Sequence, residues 1–155
     1  MKIFVTGAAG YIGGSIAEHL RGDGHTVRGL VRRDTQAEDL AARGITPVLG
    51  DLDNHALLMR EARSADAVIN AASSDHRAAV EFLLEALRGS GKAFLHTSGS
   101  SVIGDDERGN ALSPHIFDEG TPFIVEPGKQ ARHAIDQTAW RRAIKASAQS
   151  CCATA

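Results

Sequence analysis

Three glycines near the amino terminus have the spacing of an anion-binding loop. Gly7, Gly10 and Gly13 lie between an apolar run rich in β-branched residues and a segment with helical spacing. Gly7 permits a sharp turn, Gly10 lets the backbone approach phosphates, and Gly13 allows close packing of the helix on the sheet. The N–H groups of that helix then favour a pyrophosphate. The loop is therefore predicted to bind a dinucleotide, and the alternative is a glycine-rich turn without a ligand.

Two arginines after the second apolar run bear on the choice of nucleotide. Domains that bind NAD usually place an acidic residue about 20 residues after the glycine loop, on the ribose hydroxyls. This chain instead has Arg32 and Arg33 there, and the first acid is Asp34. Because a guanidinium binds phosphate bidentately, the pair favours NADP, with NAD as the other possibility. The alternative is that both arginines are simply solvated at the end of a strand.

The segment Gly-Asp-Leu-Asp follows the third apolar run. Asp51 is placed to accept a hydrogen bond from an adenine amino group, and Leu52 is counted with it among the cofactor-binding residues. Aspartate is also a preferred N-cap. The alternative is therefore that Asp51 or Asp53 caps the next helix.

Five short apolar runs alternate with helical patterns over the first hundred residues. Such alternation predicts a parallel sheet with right-handed crossovers. We expect an α/β fold of the Rossmann type, a doubly wound sheet in the order 3-2-1-4-5, with a crevice where strands 1 and 4 diverge. The predicted strands are 2–6, 26–31, 46–49, 67–70 and 93–97, and the predicted helices are 12–21, 36–43, 55–62 and 78–87.

The last third of the chain has a different pattern. Residues 101–127 are rich in proline and glycine and are predicted to be mostly loop. Residues 129–148 are predicted to form one long helix, with Ile135, Ala139 and Ile144 facing inward. Because no repeat or linker is visible, residues 1–155 are treated as a single dinucleotide-binding domain.

Composition argues against several classes of partner. The formal charge is −2, which argues against nucleic acid or an anionic membrane surface. No apolar run is long enough to span a bilayer. Cys151 and Cys152 are the only cysteines and are adjacent, so a reducing, cytoplasmic location is expected. The seven histidines are scattered, and no metal site is predicted.

Taken together, these motifs resemble the short-chain dehydrogenase/reductase superfamily, in its extended or atypical branch of epimerase/dehydratase-like proteins. The resemblance rests on VTGAAGYIG at 5–13, RR at 32–33, GDLD at 50–53, ADAVINAAS at 65–73 and FLHTSGSSVIGD at 94–105. It implies a nicotinamide cofactor, oxidoreductase or epimerase/dehydratase chemistry, and a small-molecule substrate. The cofactor-binding residues placed within these motifs also include Ala9, Tyr11, Ile12, Asn70, Ala71, Ala72 and Thr97.

The catalytic residues of that family are only partly matched. The family has a serine after strand 5 and a Tyr-x-x-x-Lys pair on the next long helix, but Gly99 stands at the usual serine and Tyr11 is the only tyrosine. Ser100 is the candidate substitute for the serine, unless the serines near it form only a polar turn. His133 is the candidate acid/base group, unless it belongs only to a polar helix face.

The family continues beyond the long helix with a sixth strand and a substrate-binding part, which this chain is expected to lack. A sheet that ends at strand 5 exposes an edge and a helix face, which favours a homo-oligomer. The leading hypothesis is an NADP-dependent oxidoreductase or epimerase, or its cofactor-binding portion. The alternatives are a non-catalytic NADP(H) sensor, or a fragment that binds nothing tightly.

Overall fold

A computed structural model of the chain describes residues 1–103, 116–118 and 120–151, with side chains as far as Arg141. Five strands alternate with helices, and two 3-10 turns, Ser100–Ile103 and Pro127–Lys129, precede the last helix. The strands are β1 Lys2–Thr6, β2 Thr26–Val31, β3 Thr46–Leu49, β4 Ala67–Asn70 and β5 Ala93–His96. The helices are α1 Tyr11–Gly22, α2 Asp34–Ala42, α3 His55–Ser64, α4 Arg77–Ala86 and α5 Gln130–Cys151.

The sheet is parallel throughout, in the order β3-β2-β1-β4-β5. This confirms the predicted Rossmann-type topology. The central strand β1 pairs with β2 on one side and β4 on the other, so that Ile3 lies opposite both Val27 and Ala67. The direction of winding reverses between β1 and β4, which is where a doubly wound sheet leaves a crevice at the carboxyl ends of its strands.

Both faces of the sheet are covered by helices. On one face, Phe4 packs with Leu58 of α3 and Leu83 of α4. On the other face, Val5 packs with Ala17 of α1 and Leu40 of α2. Successive side chains of β1 therefore enter two different apolar layers, which is why the strand reads as a continuous apolar run.

The observed elements differ from the predicted ones mainly at their ends. The strand β5 ends one residue early, and α2 begins at Asp34 rather than at residue 36. The buried Ile135 and the partly buried Ala139 pack against α4, whereas the side chain of Ile144 lies outside the described residues. Positions 104–115 and 119 of the predicted loop also lie outside them.

Replacing Gly13 with alanine is expected to destabilise the fold. A Cβ there would lie 2.3 Å from the carbonyl oxygen of Gly7, so the backbone would have to move, at a cost of about 1–3 kcal/mol in the free energy of unfolding. Gly22→Ala is the matched control, because nothing lies within 4 Å of its Cβ. That change is expected to stabilise by about 0.4–1 kcal/mol. Urea denaturation measures both, and equal effects would contradict the packing argument.

Candidate functional site

The turn between β1 and α1 is built for close approach of the backbone. Gly7 has a φ of 70°, and a Cβ on it would lie 2.6 Å from the carbonyl oxygen of Ala71. The N–H of Gly10 donates to the carbonyl of Gly7 at 2.9 Å. Gly10 also occupies the N-cap of α1, where it offers no side-chain acceptor, and the first turn carries no acidic residue. The amide donors of that turn therefore favour an anionic ligand.

A cavity of about 490 Å³ opens beside this turn, at the carboxyl ends of the first four strands. We call it the crevice. Its walls come from the glycine turn, the end of β2, the loop after β3 and the loop after β4. The lining residues are Gly7, Ala9, Gly10, Leu30, Val31, Arg32, Gln36, Asp51, Leu52, Asp53, Ala71, Ala72, Ser73 and His76.

The crevice brings together many of the residues predicted to bind a cofactor. These are Gly7, Ala9, Gly10, Arg32, Asp51, Leu52, Ala71 and Ala72. The lining does not include Tyr11, Ile12, Gly13, Arg33, Asn70 or Thr97. Tyr11 is 92% exposed at the start of α1, whereas Asn70 is buried within the sheet. Motif membership alone therefore does not distinguish residues that face the crevice from residues that support it.

The end of β2 presents Arg32 to the crevice. Its side chain is exposed, and its backbone N–H donates to the Oε1 atom of Gln36 at 3.3 Å. Arg33 occupies the N-cap position of α2 and lies outside the crevice. The sequence analysis did not predict Gln36 as a crevice residue, although its position four residues after Arg32, at the start of a predicted helix, pointed to it.

The loop after β3 is organised by Asp51. Its Oδ1 atom accepts from the backbone N–H groups of Asp53 at 3.0 Å and Asn54 at 3.1 Å. The N-cap of α3 is Asn54, whose side chain accepts from the N–H of Leu57. The alternative that Asp51 or Asp53 caps this helix is therefore wrong, because the helix begins one residue later than a cap at Asp53 requires and three residues later than a cap at Asp51 requires.

A second cavity, of about 480 Å³, lies beyond the end of β5. We call it the β5 cavity, and it contains both candidate catalytic residues, Ser100 and His133. The ring of His133 meets Phe123 edge to face, with centroids 5.8 Å apart. The lining residues are Ser98, Gly99, Ser100, Val102, Ile103, Phe123, His133, Asp136, Gln137 and Trp140.

A chain of polar side chains runs from the sheet to the β5 cavity. Thr6 donates its hydroxyl hydrogen to Oδ1 of Asn70 at 2.5 Å, which leaves the amide nitrogen of Asn70 3.0 Å from Nδ1 of His96. Since Nδ1 must accept, the neutral ring carries its proton on Nε2. That nitrogen lies 3.5 Å from Oδ1 of Asp136, too far for a normal hydrogen bond. The other oxygen of Asp136 accepts from Ser98 at 2.7 Å.

The environment of His96 disfavours its charged form. Burial lowers the pKa of this ring below the ordinary histidine value, and the nearby Asp136 carboxylate opposes that effect only in part. The amide donor of Asn70 also faces the nitrogen that would take up the second proton. The neutral ring of His96 therefore points its Nε2–H towards Asp136, beyond normal hydrogen-bond distance.

The guanidinium of Arg132 lies beside Gly99. A Cβ on Gly99 would lie 2.5 Å from a guanidinium nitrogen of Arg132. Arg132 makes two hydrogen bonds to the carboxylate of Asp75, at 2.7 and 2.6 Å, and a third to Ser101 at 3.1 Å. It thereby connects α5 to the loop after β4, and it occupies the space that a larger residue at 99 would need.

Comparison with known proteins assigns the family. Residues 1–119 match the model of the NmrA-like family. The chain belongs to the NmrA-like family. Together with the solved structures it resembles, this confirms its place in the atypical branch of the short-chain dehydrogenases/reductases.

Relatives of this NmrA-like chain are longer proteins. An uncharacterized protein of Saccharomyces cerevisiae is 35% identical over 155 aligned positions, which cover 90% of this chain and 48% of the relative. A 4-hydroxy-2-methyl-3-oxo-4-farnesyl-3,4-dihydroquinoline-1-oxide ketoreductase of Stigmatella aurantiaca is 32% identical, covering 68% of this chain and 35% of its own. The chain spans less than half the length of the curated relatives it matches.

Two solved structures show the same fold at low identity. The UDP-glucose 4-epimerase of Bifidobacterium longum, in complex with NAD+ and UDP, has a TM-score of 0.71 at 19% identity and covers 94% of this chain and 50% of its own. The binary complex of leucoanthocyanidin reductase with NADPH from Vitis vinifera has a TM-score of 0.62 at 17% identity, and the match covers 95% of this chain and 46% of the reductase chain.

Two kinds of feature are absent from the described residues. No helix there is both long and apolar enough to cross a bilayer. No group of three or more His, Cys, Asp or Glu side chains within the same residues is arranged to hold a metal ion.

The protonation state of His96 predicts a pH dependence of stability. Its pKa is lower in the folded than in the unfolded chain, so the unfolded state binds the proton first as the pH falls. Stability from this group is complete above the unfolded pKa of about 6.5 and is lost as the pH falls towards the folded pKa. His96→Gln is expected to lose less stability between pH 7.5 and 5.5 in urea denaturation. Parallel pH profiles for the two proteins would contradict this.

Proposed function

We propose that this chain forms the NADP(H)-binding part of an oxidoreductase or epimerase/dehydratase that acts on a small molecule. The observation that carries the proposal is the crevice, which joins the glycine turn to Arg32 across the switch point of the sheet. Such a crevice at the carboxyl ends of parallel strands is the usual place for a dinucleotide. When bound, the nicotinamide ring supplies hydride transfer.

The proposal gives each part of the crevice a role. Gly7 and Gly10 leave space for a pyrophosphate at the start of α1, where Ala9, Tyr11, Ile12 and Gly13 complete the turn. Arg32 meets the ribose 2′-phosphate, and Arg33 adds positive charge nearby. Asp51 and Leu52 flank the adenine. Ala71 and Ala72 line the crevice after β4, and Asn70 and Thr97 support it from the ends of β4 and β5.

The choice of NADP over NAD rests on Arg32. It is an exposed cation at the rim of the crevice, and no described salt bridge neutralises it. Among similar folds, the epimerase complex contains NAD+ and the reductase complex contains NADPH. These neighbours support a nicotinamide dinucleotide as the ligand class, and the arginine supports the phosphorylated form.

In the β5 cavity, Ser100 is proposed to polarise a substrate carbonyl and His133 to exchange the proton. An imidazole can do so near neutral pH. Asp136 adds a carboxylate held by Ser98. These side chains converge on one cavity from the 3-10 turn and from α5, which supports a reaction site there.

A second candidate function is a non-catalytic NADP(H) sensor. It is favoured by the guanidinium of Arg132, which occupies the place of the family's serine, and by the absence of any tyrosine after Tyr11. A sensor needs the crevice but not the β5 cavity.

Binding of NADPH and NADH tests the first part of the proposal. Both are titrated into the purified chain while the melting temperature is followed, and NADPH is expected to stabilise more. Arg32→Ala is expected to weaken NADPH binding about 10- to 100-fold, because it removes charge-assisted hydrogen bonds, with little effect on NADH. Arg63→Ala, which removes an exposed cation in the last turn of α3 and outside the crevice lining, is the matched control. Equal affinities for the two nucleotides in the wild type would refute the Arg32 assignment.

Substitutions in the β5 cavity separate an enzyme from a sensor. Carbonyl compounds are screened for NADPH oxidation, and any substrate found is retested with Ser100→Ala and His133→Gln. For an enzyme, His133→Gln is expected to lower kcat by about 10²- to 10⁴-fold while the Kd for NADPH stays the same. If His133→Gln keeps the full kcat of the wild type, His133 is not the acid/base group.

A further inference from the structure

The loop after β3 and the start of α4 meet across the crevice. Nε2 of His76 lies 3.2 Å from Oδ1 of Asp53, and both residues line the crevice. In the sheet, β3 and β4 are separated by β2 and β1. Their loops meet because the following helices pack side by side, with the rings of His55 and Phe82 3.9 Å apart.

The hydrogen bonds around His76 fix which nitrogen carries the proton. Nδ1 accepts from the backbone N–H of Ala79 at 3.2 Å and so caps α4. The neutral ring therefore has its proton on Nε2, which donates to Asp53. The same imidazole thus caps the N-terminus of α4 and contacts Asp53 across the crevice.

Asp53 is held in place by a residue of its own loop. Its backbone N–H donates to Oδ1 of Asp51, in the loop that precedes α3. The side chain of Asp53 is 83% exposed, whereas that of His76 is only 28% exposed. The contact therefore lies at the mouth of the crevice, between a fixed ring and an outer carboxylate.

We propose that Asp53 and His76 form a clasp over the adenosine end of the crevice and slow the release of ligands that carry an adenosine. The inference rests on the proposed function, which places the 2′-phosphate at Arg32 and the adenine beside Asp51 and Leu52. Release of a nucleotide from that end requires the two loops to separate. The clasp has to open for this, although it connects residues that are far apart in the sheet.

A double-mutant cycle tests the clasp through nucleotide release. His76→Asn retains an N-cap side chain but is too short to reach Asp53, and Asp53→Ala removes the acceptor. The probes are NADPH and 2′,5′-ADP, and the dissociation of each is followed by stopped flow. Each single variant is expected to raise the dissociation rate of NADPH about two- to fivefold. The double variant is expected to raise it no further than the larger single effect.

The adenosine half of the ligand gives the second readout. The dissociation rate of 2′,5′-ADP is expected to rise by the same factor as that of NADPH, since both ligands carry the same adenosine. Glu18→Gln, which breaks an exposed ion pair with Arg43 away from the crevice, is the control and is expected to change neither value.

Each outcome bears on one of the two proposals. If the wild type binds NADPH and the single variants leave its release unchanged, or their effects add fully, the clasp is refuted and the proposed function stands. An effect on NADPH without one on 2′,5′-ADP would place the contact at the other end of the ligand and also refute it. If the wild type binds neither probe, both proposals fail.

Discussion

The rest of the fold depends on the close packing of the turn between β1 and α1 against the loop after β4 and the start of α1. Side-chain atoms cannot fit at Gly7 or Gly13, because the carbonyl oxygens of Ala71 and Gly7 already occupy the space. This contact fixes the start of α1 against the end of β4. The crevice, and the amide donors that face an anion there, follow from that one constraint.

A parallel sheet places the carboxyl ends of all its strands on one edge, so two cavities lie side by side along it. The crevice faces the ends of β1 to β4, and the β5 cavity lies beyond β5. Between them, Asn70 and His96 pair across adjacent strands. Asn70 at the end of β4 thus contacts His96 of β5, and the ring of His96 faces the carboxylate of Asp136 in the β5 cavity.

Beside the β5 cavity, the side chain of Arg132 connects three segments of the chain. Gly99 has no side chain, and the guanidinium of Arg132 lies in that space, where it binds Asp75 and Ser101. A side chain at position 99 would require this guanidinium, the far end of a flexible side chain, to shift.

The sequence by itself determined the strands, their order and the glycine turn, because these depend on local patterns and on glycine's lack of a side chain. It also identified the part of the crevice formed by short motifs, such as Arg32 and Asp51. Only the tertiary structure decided that Asp53 meets His76 and that His96 faces Asp136. Those pairs are 23 and 40 positions apart, and their contacts arise from helix packing, which no local spacing encodes.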